Sequence, residues 1–254
     1  MENNFQSLQF FLPELIIIFT ILFVILCDLI PSVTKYSFKL TIVGLIIVGI
    51  MMFLNGISNK TIFNNMLIDD MFAFYFNSII LLSTFSIILV SKFSKELDDQ
   101  YRIEYNVLIL VVMLGMFLMT SSINLVMIYL SLELVSIPSY ILAGILKNDK
   151  KSNEAALKYV IFGSFASGLM LIGFSWLYGI SGSTNIYDIY NSILLLENHS
   201  AVLLSILFIL VGFGYKISMV PFHYWTPDVY EGSPITVTAF LSVAPKAAGF
   251  ALFI

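Results

Sequence analysis

Residues 201–225 read AVLLSILFILVGFGYKISMVPFHYW. The run is long enough to cross a hydrocarbon core, which takes about 20 apolar residues of helix rising 1.5 Å each. Lys216 interrupts it, Gly212 and Gly214 loosen the preceding turns, and Pro221 removes the donor for the carbonyl of Ile217. Backbone of this kind, with a charge at mid-depth, is tolerated in lipid where it lines a hydrated cavity. The rest of the chain agrees with a membrane reading. Of its 254 residues 59% are apolar and 11% charged, against about 25% charged in a typical soluble domain, so the charges are too few to coat a water-facing surface.

Working outward, seven further apolar runs fall at roughly 8–30, 38–56, 70–92, 106–123, 124–147, 154–180 and 234–254, which predicts eight spans in all. The first has no Lys or Arg ahead of it and is too long for a signal-peptide core, so it is expected to stay in the membrane. No segment alternates like a barrel strand or has the polar composition of a linker. The predicted fold class is therefore all-α: a polytopic transmembrane bundle, discontinuous near Lys216. On the sixth span Gly163, Ser164, Ser167 and Gly168 recur at four-residue spacing, which predicts close helix packing.

Cations set the orientation. One alternating set of loops carries Lys35 and Lys39, then Lys92, Lys95 and Arg102, then Lys147, Lys150 and Lys151; the other carries Lys60. Positive loops stay inside, so the N-terminus is expected outside, as is the cation-free loop at about 181–200 with Asp188, Glu197 and His199. Twelve Lys and Arg against sixteen Asp and Glu leave a net charge of −4, with no basic face for phosphates, which excludes nucleic acid as a partner. Cys27 is the single cysteine, so neither an internal disulfide nor a Cys-rich metal site is expected.

Three cations, Lys158, Lys216 and Lys246, fall inside predicted helices, as does Glu133. Lys216 is about 22 Å from the outer start of its helix, Lys246 about 18 Å from the inner start of the next, and Glu133 is near the midplane. Lys158 is about one turn from the inner end, within reach of the interface by its long stem. A charge at the centre of a membrane helix costs about 2.5–3.5 kcal/mol, which makes these residues candidates for an ion pathway. Glu14 and Asp28, near the ends of the first span, are expected at the interface. Pro138 frees the carbonyl of Leu134 beside Glu133, and Pro245 directly precedes Lys246, so each central charge has an interrupted backbone next to it.

A carboxylate near a buried ammonium helps it keep its proton, so moving Glu133 relative to Lys216 would move a proton toward Lys246. His223, seven residues beyond Lys216 on the same predicted helical face, is a candidate relay at the inner mouth. Nothing resembling GxxxxGK, GxGxxG, HExxH or CxxC supplies energy or a metal, so the driving force must come from another chain or another ion gradient.

The residues resemble a known family, the antiporter-like, proton-translocating membrane subunits of respiratory complex I. Tyr129 to Leu142, YLSLELVSIPSYIL, looks like its fifth-helix glutamate motif, and Lys158 in AALKYVIFGSFASG looks like its sixth-helix lysine. Gly214 to Gly249, with TPDVYEGSP and SVAPKAAG, is similar to the N-type chains of that family. The resemblance implies proton-transfer roles for Glu133, Lys216 and Lys246, with Lys158 an added channel lysine. It also implies three N-terminal helices over 1–105 and, over 106–254, the first of two inverted repeats, in a chain that continues for about as long again. No cofactor is implied in this chain; NAD, FMN, iron-sulfur clusters and quinone would belong to partner subunits. Its partners would be the other complex I membrane subunits, the NADH-oxidising arm, protons and lipid, in a bacterial plasma, mitochondrial inner or thylakoid membrane. Alternatives sharing these lysines are a multisubunit sodium/proton antiporter and a membrane-bound hydrogenase, and one that does not use them is a scaffold with static ion pairs.

Overall fold

The computed structural model describes residues 4–30, 33–196 and 198–254, without the side chains of residues 4–6 and 99; the predicted outer-loop residue Glu197 lies outside the described residues. The apolar runs form helices. In chain order they are α1 (Asn4–Phe10), α2 (Leu12–Leu29), α3 (Ser37–Asn55), α4 (Met71–Ser91), α5 (Arg102–Ser121), α6 (Leu125–Ala143), α7 (Lys150–Ser181), α8 (Ile186–Leu194), α9 (Ser200–Lys216), α10 (Trp225–Gly232) and α11 (Ile235–Phe253). Among the described residues seven helices are long and apolar enough to cross a membrane, and α9 is a shorter apolar helix of 17 residues. The protein is thus an integral membrane bundle. Large apolar side chains such as Phe19, Phe53, Leu82, Phe165 and Leu207 are exposed on its outside, where lipid tails would cover them.

Polar side chains set the helix starts by accepting orphan backbone donors. Asp70 accepts from the Ala73 N–H, Asn124 from Val126, Asp149 from Lys151 and Asn185 from Tyr187. At the far end of α7, Gly182 takes the left-handed conformation (φ 71°) that stops a helix, its N–H donating to the Tyr178 carbonyl. The Arg102 guanidinium closes α4 from outside, donating to the carbonyls of Ser91, Lys92 and Ser94.

α5 is the axis of the bundle, with Val112, Met113, Met116 and Phe117 fully buried against α2, α4, α6 and α11. α7 packs along α9 where Gly173 meets the backbone of Ser205 and Ile209. The predicted small-residue stripe is only partly right. Gly163 does abut the Tyr140 and Tyr215 hydroxyls, but nothing lies within 4 Å of a Cβ built on Gly168. Ser164 is exposed and turns its hydroxyl back to the Val160 carbonyl. The close contact follows Gly163, Ala166, Met170 and Gly173, a helical stripe at alternating three- and four-residue steps that includes larger side chains.

The all-α expectation misses a short hairpin. Strands β1 (Lys60–Ile62) and β2 (Leu67–Asp69) pair antiparallel, with Phe63, Asn64 and Asn65 at φ between 52° and 61° in the turn. Asn is the residue that most readily takes that conformation after glycine. The hairpin joins the connections after α5 and α7 at the same end of the bundle: Ile123 N–H donates to the Met66 carbonyl, Leu125 N–H to Thr184, and the Asn185 amide to Asn65.

Candidate functional site

The predicted span 201–225 is not one helix. α9 ends at Lys216, and the chain then turns through Ser218 (φ 59°) and a cis Val220–Pro221 bond before restarting at Trp225. Backbone and side-chain donors cap the end: Met219 N–H to Gly214, Ser218 N–H to Tyr215, and the Trp225 indole to the same Tyr215 carbonyl at 3.2 Å. His223 therefore does not share a helical face with Lys216. It lies in the turn, its ring stacked 4.9 Å from Tyr224 and its buried Nδ1 without a partner among the described residues. Pro138 and Pro245, by contrast, sit inside uninterrupted helices. Each removes one donor without ending its helix. Around Pro138, the Ser136 and Ser139 hydroxyls bond the Leu132 and Val135 carbonyls on either side of the freed one, the sort of local repair that lets membrane helices tolerate proline.

Lys216 is 5% exposed, and its ammonium donates 3.0 Å to the Ser136 hydroxyl on α6. That hydroxyl in turn donates a hydrogen bond to the Leu132 carbonyl at 2.7 Å. Glu133, half-buried, precedes Ser136 by three residues and so shares its face of α6. The Glu133 carboxylate is close enough to act electrostatically on Lys216, yet among the described residues no ion pair within 4 Å joins them.

The third helix of the site is α11. Gly249 packs against Ile217 and the Lys216 stem, one turn beyond Lys246. The half-buried Lys246 holds its ammonium 5.4 Å from the centre of the Tyr230 ring on α10, a cation–π distance. Glu133, Lys216 and Lys246 thus sit on three helices, α6, α9 and α11, with α11 meeting the Lys216 stem at Gly249.

Lys158 belongs to a different cluster. Its ammonium pairs with Asp228 at 2.6 Å and Glu154 at 2.7 Å, while Lys151 pairs with Glu231 at 2.8 Å. Both sets strap α10 onto the start of α7, where Gly232 abuts the Lys151 carbonyl. Sequence reasoning missed these carboxylates, although Asp228 and Glu231 lie three apart and so share a helical face. It also missed the aromatic wall around Lys216. Tyr159 stacks on Trp225 at 4.5 Å and meets Tyr140 edge-on at 4.7 Å, and the Tyr215 hydroxyl donates to the Tyr159 carbonyl. Glu14 and Asp28 lie in the first and last turns of α2, near its ends as expected, with Glu14 buried at 8% exposure and Asp28 exposed.

Apolar helices packed around a lysine at the end of a broken one define a polytopic membrane protein with a buried cation at a helix break. The chain belongs to the NADH:quinone oxidoreductase/Mrp antiporter transmembrane family, whose model matches residues 122–254. It is 46% identical over 251 residues to NADH-quinone oxidoreductase subunit N 2 of Chloroherpeton thalassium, an alignment covering 96% of this chain and 49% of that protein. It is 38% identical over 266 residues to NADH-quinone oxidoreductase subunit N of an Anaeromyxobacter species, covering 100% and 51%. A chain of respiratory complex I from Thermus thermophilus with bound aureothin superposes with a TM-score of 0.78 at 29% identity, covering 95% of this chain and 52% of that one. The membrane-bound sulfane sulfur reductase, an archaeal respiratory complex, shares the fold at a TM-score of 0.78 and 20% identity, covering 98% and 52%. The chain spans about half the length of the relatives it matches.

Proposed function

We propose that this chain serves as part of a proton-translocating membrane subunit of an NADH:quinone oxidoreductase, in which other subunits oxidise NADH and reduce quinone. NAD, FMN, iron-sulfur clusters and quinone reside with those partners, and the bacterial relatives favour a bacterial plasma membrane. The observation that carries the reading is the buried Lys216 ammonium at the break of α9, hydrogen-bonded to Ser136 one turn from Glu133. An ammonium held by a neutral hydroxyl can give up its proton; one locked in a tight ion pair resists doing so. When Glu133 draws near, Lys216 keeps its proton, and when Glu133 withdraws the proton passes through water toward Lys246 on α11. His223, in the turn, is a candidate relay at the inner side, and Lys158 anchors α10 beside the path. Moving a proton against 100 mV requires about 2.3 kcal/mol, to be supplied by the redox partners. The reading is tested by placing Glu133→Gln in the full-length chain. Coupled pumping by the assembled complex should fall several-fold, and undiminished pumping would count against it.

A further inference from the structure

Glu14 lies in the first turn of α2, where α1 and the hairpin fold over the helix end, and it is 8% exposed. Its Oε2 has no hydrogen-bond partner among the described residues. The side chain borders a cavity of about 40 Å³, above the roughly 10–15 Å³ that one water requires. Four elements give that cavity its polar lining: Asn55 of α3, Asp69 of β2, Asn77 of α4 and Ser121 of α5. The Thr120 hydroxyl fixes Asn77 by donating to its Oδ1 at 2.6 Å. Phe11 packs edge-on against Phe63 at 5.2 Å beside it, at the hairpin turn.

Among the described residues Asp69 is the other titratable group lining the cavity. Its Oδ2 accepts from the Ser58 N–H at 3.0 Å and the Ser58 hydroxyl at 2.7 Å, and its charge repels that of Glu14. Lys60 stands opposite Asp69 in the strand register, its ammonium 5.5 Å from the centre of the Phe10 ring. A buried carboxylate with an orphan oxygen and a like charge for a neighbour is unfavourable. Taking up a proton and hydrogen-bonding through that O–H to a cavity water removes the penalty.

We propose that Glu14 is a proton-binding site, at which the buried carboxyl takes up and keeps a proton, its O–H hydrogen-bonded to water held against Asn77 and Ser121. The site lies at the outer ends of α2 to α5, apart from the chain around Lys216, and does not depend on the reading given above. Infrared spectroscopy of the full-length chain in its assembled complex tests it. At neutral pH the parent should show a deuterium-sensitive carbonyl band of a protonated carboxyl that vanishes in Glu14→Gln and persists in Glu133→Gln. Ser121→Ala, a smaller change, should shift that band by removing a partner of the water. A spectrum unchanged by Glu14→Gln would overturn the proposal. So would a band that disappears when sodium is raised at constant pH, because the site would then take a metal cation instead.

Discussion

The Lys216 ammonium is held 3.0 Å from the Ser136 hydroxyl, with Glu133 one turn away on the same face of α6. In the proposed proton transfer, the serine gives the ammonium a neutral partner while the carboxylate moves. A hydrogen bond to a charged group contributes about 1.5–3 kcal/mol. Ser136→Ala in the full-length chain should therefore cost about tenfold in coupled pumping at normal assembly, and Ser136→Thr should restore most of it. Equal pumping in both variants would remove the serine from the mechanism.

The straps between α7 and α10 are exposed pairs, and their effect should be local. The Lys151 ammonium, mainly through its hydrogen bond, holds the Glu231 carboxyl below its ordinary value. A carboxyl lowered on folding adds stability that is present above its unfolded value and is lost as pH falls through the folded one. Hydrogen exchange across 225–232 should thus stay slow around neutrality and speed up only in acid below the normal glutamate range. In Lys151→Met the acid step should disappear.

Two glycines on α7 should respond oppositely to the same change. A Cβ at Gly173 would stand 2.6 Å from the Ser205 carbonyl oxygen and 3.1 Å from the Ile209 nitrogen, so Gly173→Ala forces α7 and α9 apart. Overpacking of this kind costs about 1–3 kcal/mol. Gly168→Ala meets nothing within 4 Å and gains up to about 1 kcal/mol of helix propensity. Thermal unfolding of the purified complex should show a lower midpoint for the first and an unchanged or higher one for the second.

Asn124 starts α6 and also donates its amide to the Thr184 hydroxyl at 2.8 Å. Asn124→Ala removes a cap, at about 1 kcal/mol, and the tie between two outer connections. Protease sensitivity near 182–186 should rise, and Asn124→Asp, which keeps the cap but loses the donor, should fall between the two.

The helices and the break at Lys216 were legible because apolar length, a central cation and Pro221 each act within a few residues of sequence. Which face of a helix looks inward was not, since lipid and core are equally apolar and the helices carry little amphipathic signal. That is why Ser164 and Gly168 read as packing residues and lie exposed, and why Ser136 went unnoticed beside Glu133. The place of Glu14 near a helix end was legible, whereas its burial was not, because it comes from α1 and a hairpin contributed by other parts of the chain. The hairpin was hidden by its length of three residues per strand. Pro138 and Pro221 look alike in sequence, and the neighbours decide the outcome: serine hydroxyls flank the first, while left-handed Ser218 precedes the second.

In the proposed function Lys216 carries the proton that this membrane portion moves. Protons pumped per NADH oxidised, measured in proteoliposomes of the complete complex carrying Lys216→Met, test it most directly. The ratio should fall several-fold while assembly and NADH oxidation by the partner subunits remain measurable. A ratio equal to that of the parent complex would contradict the account.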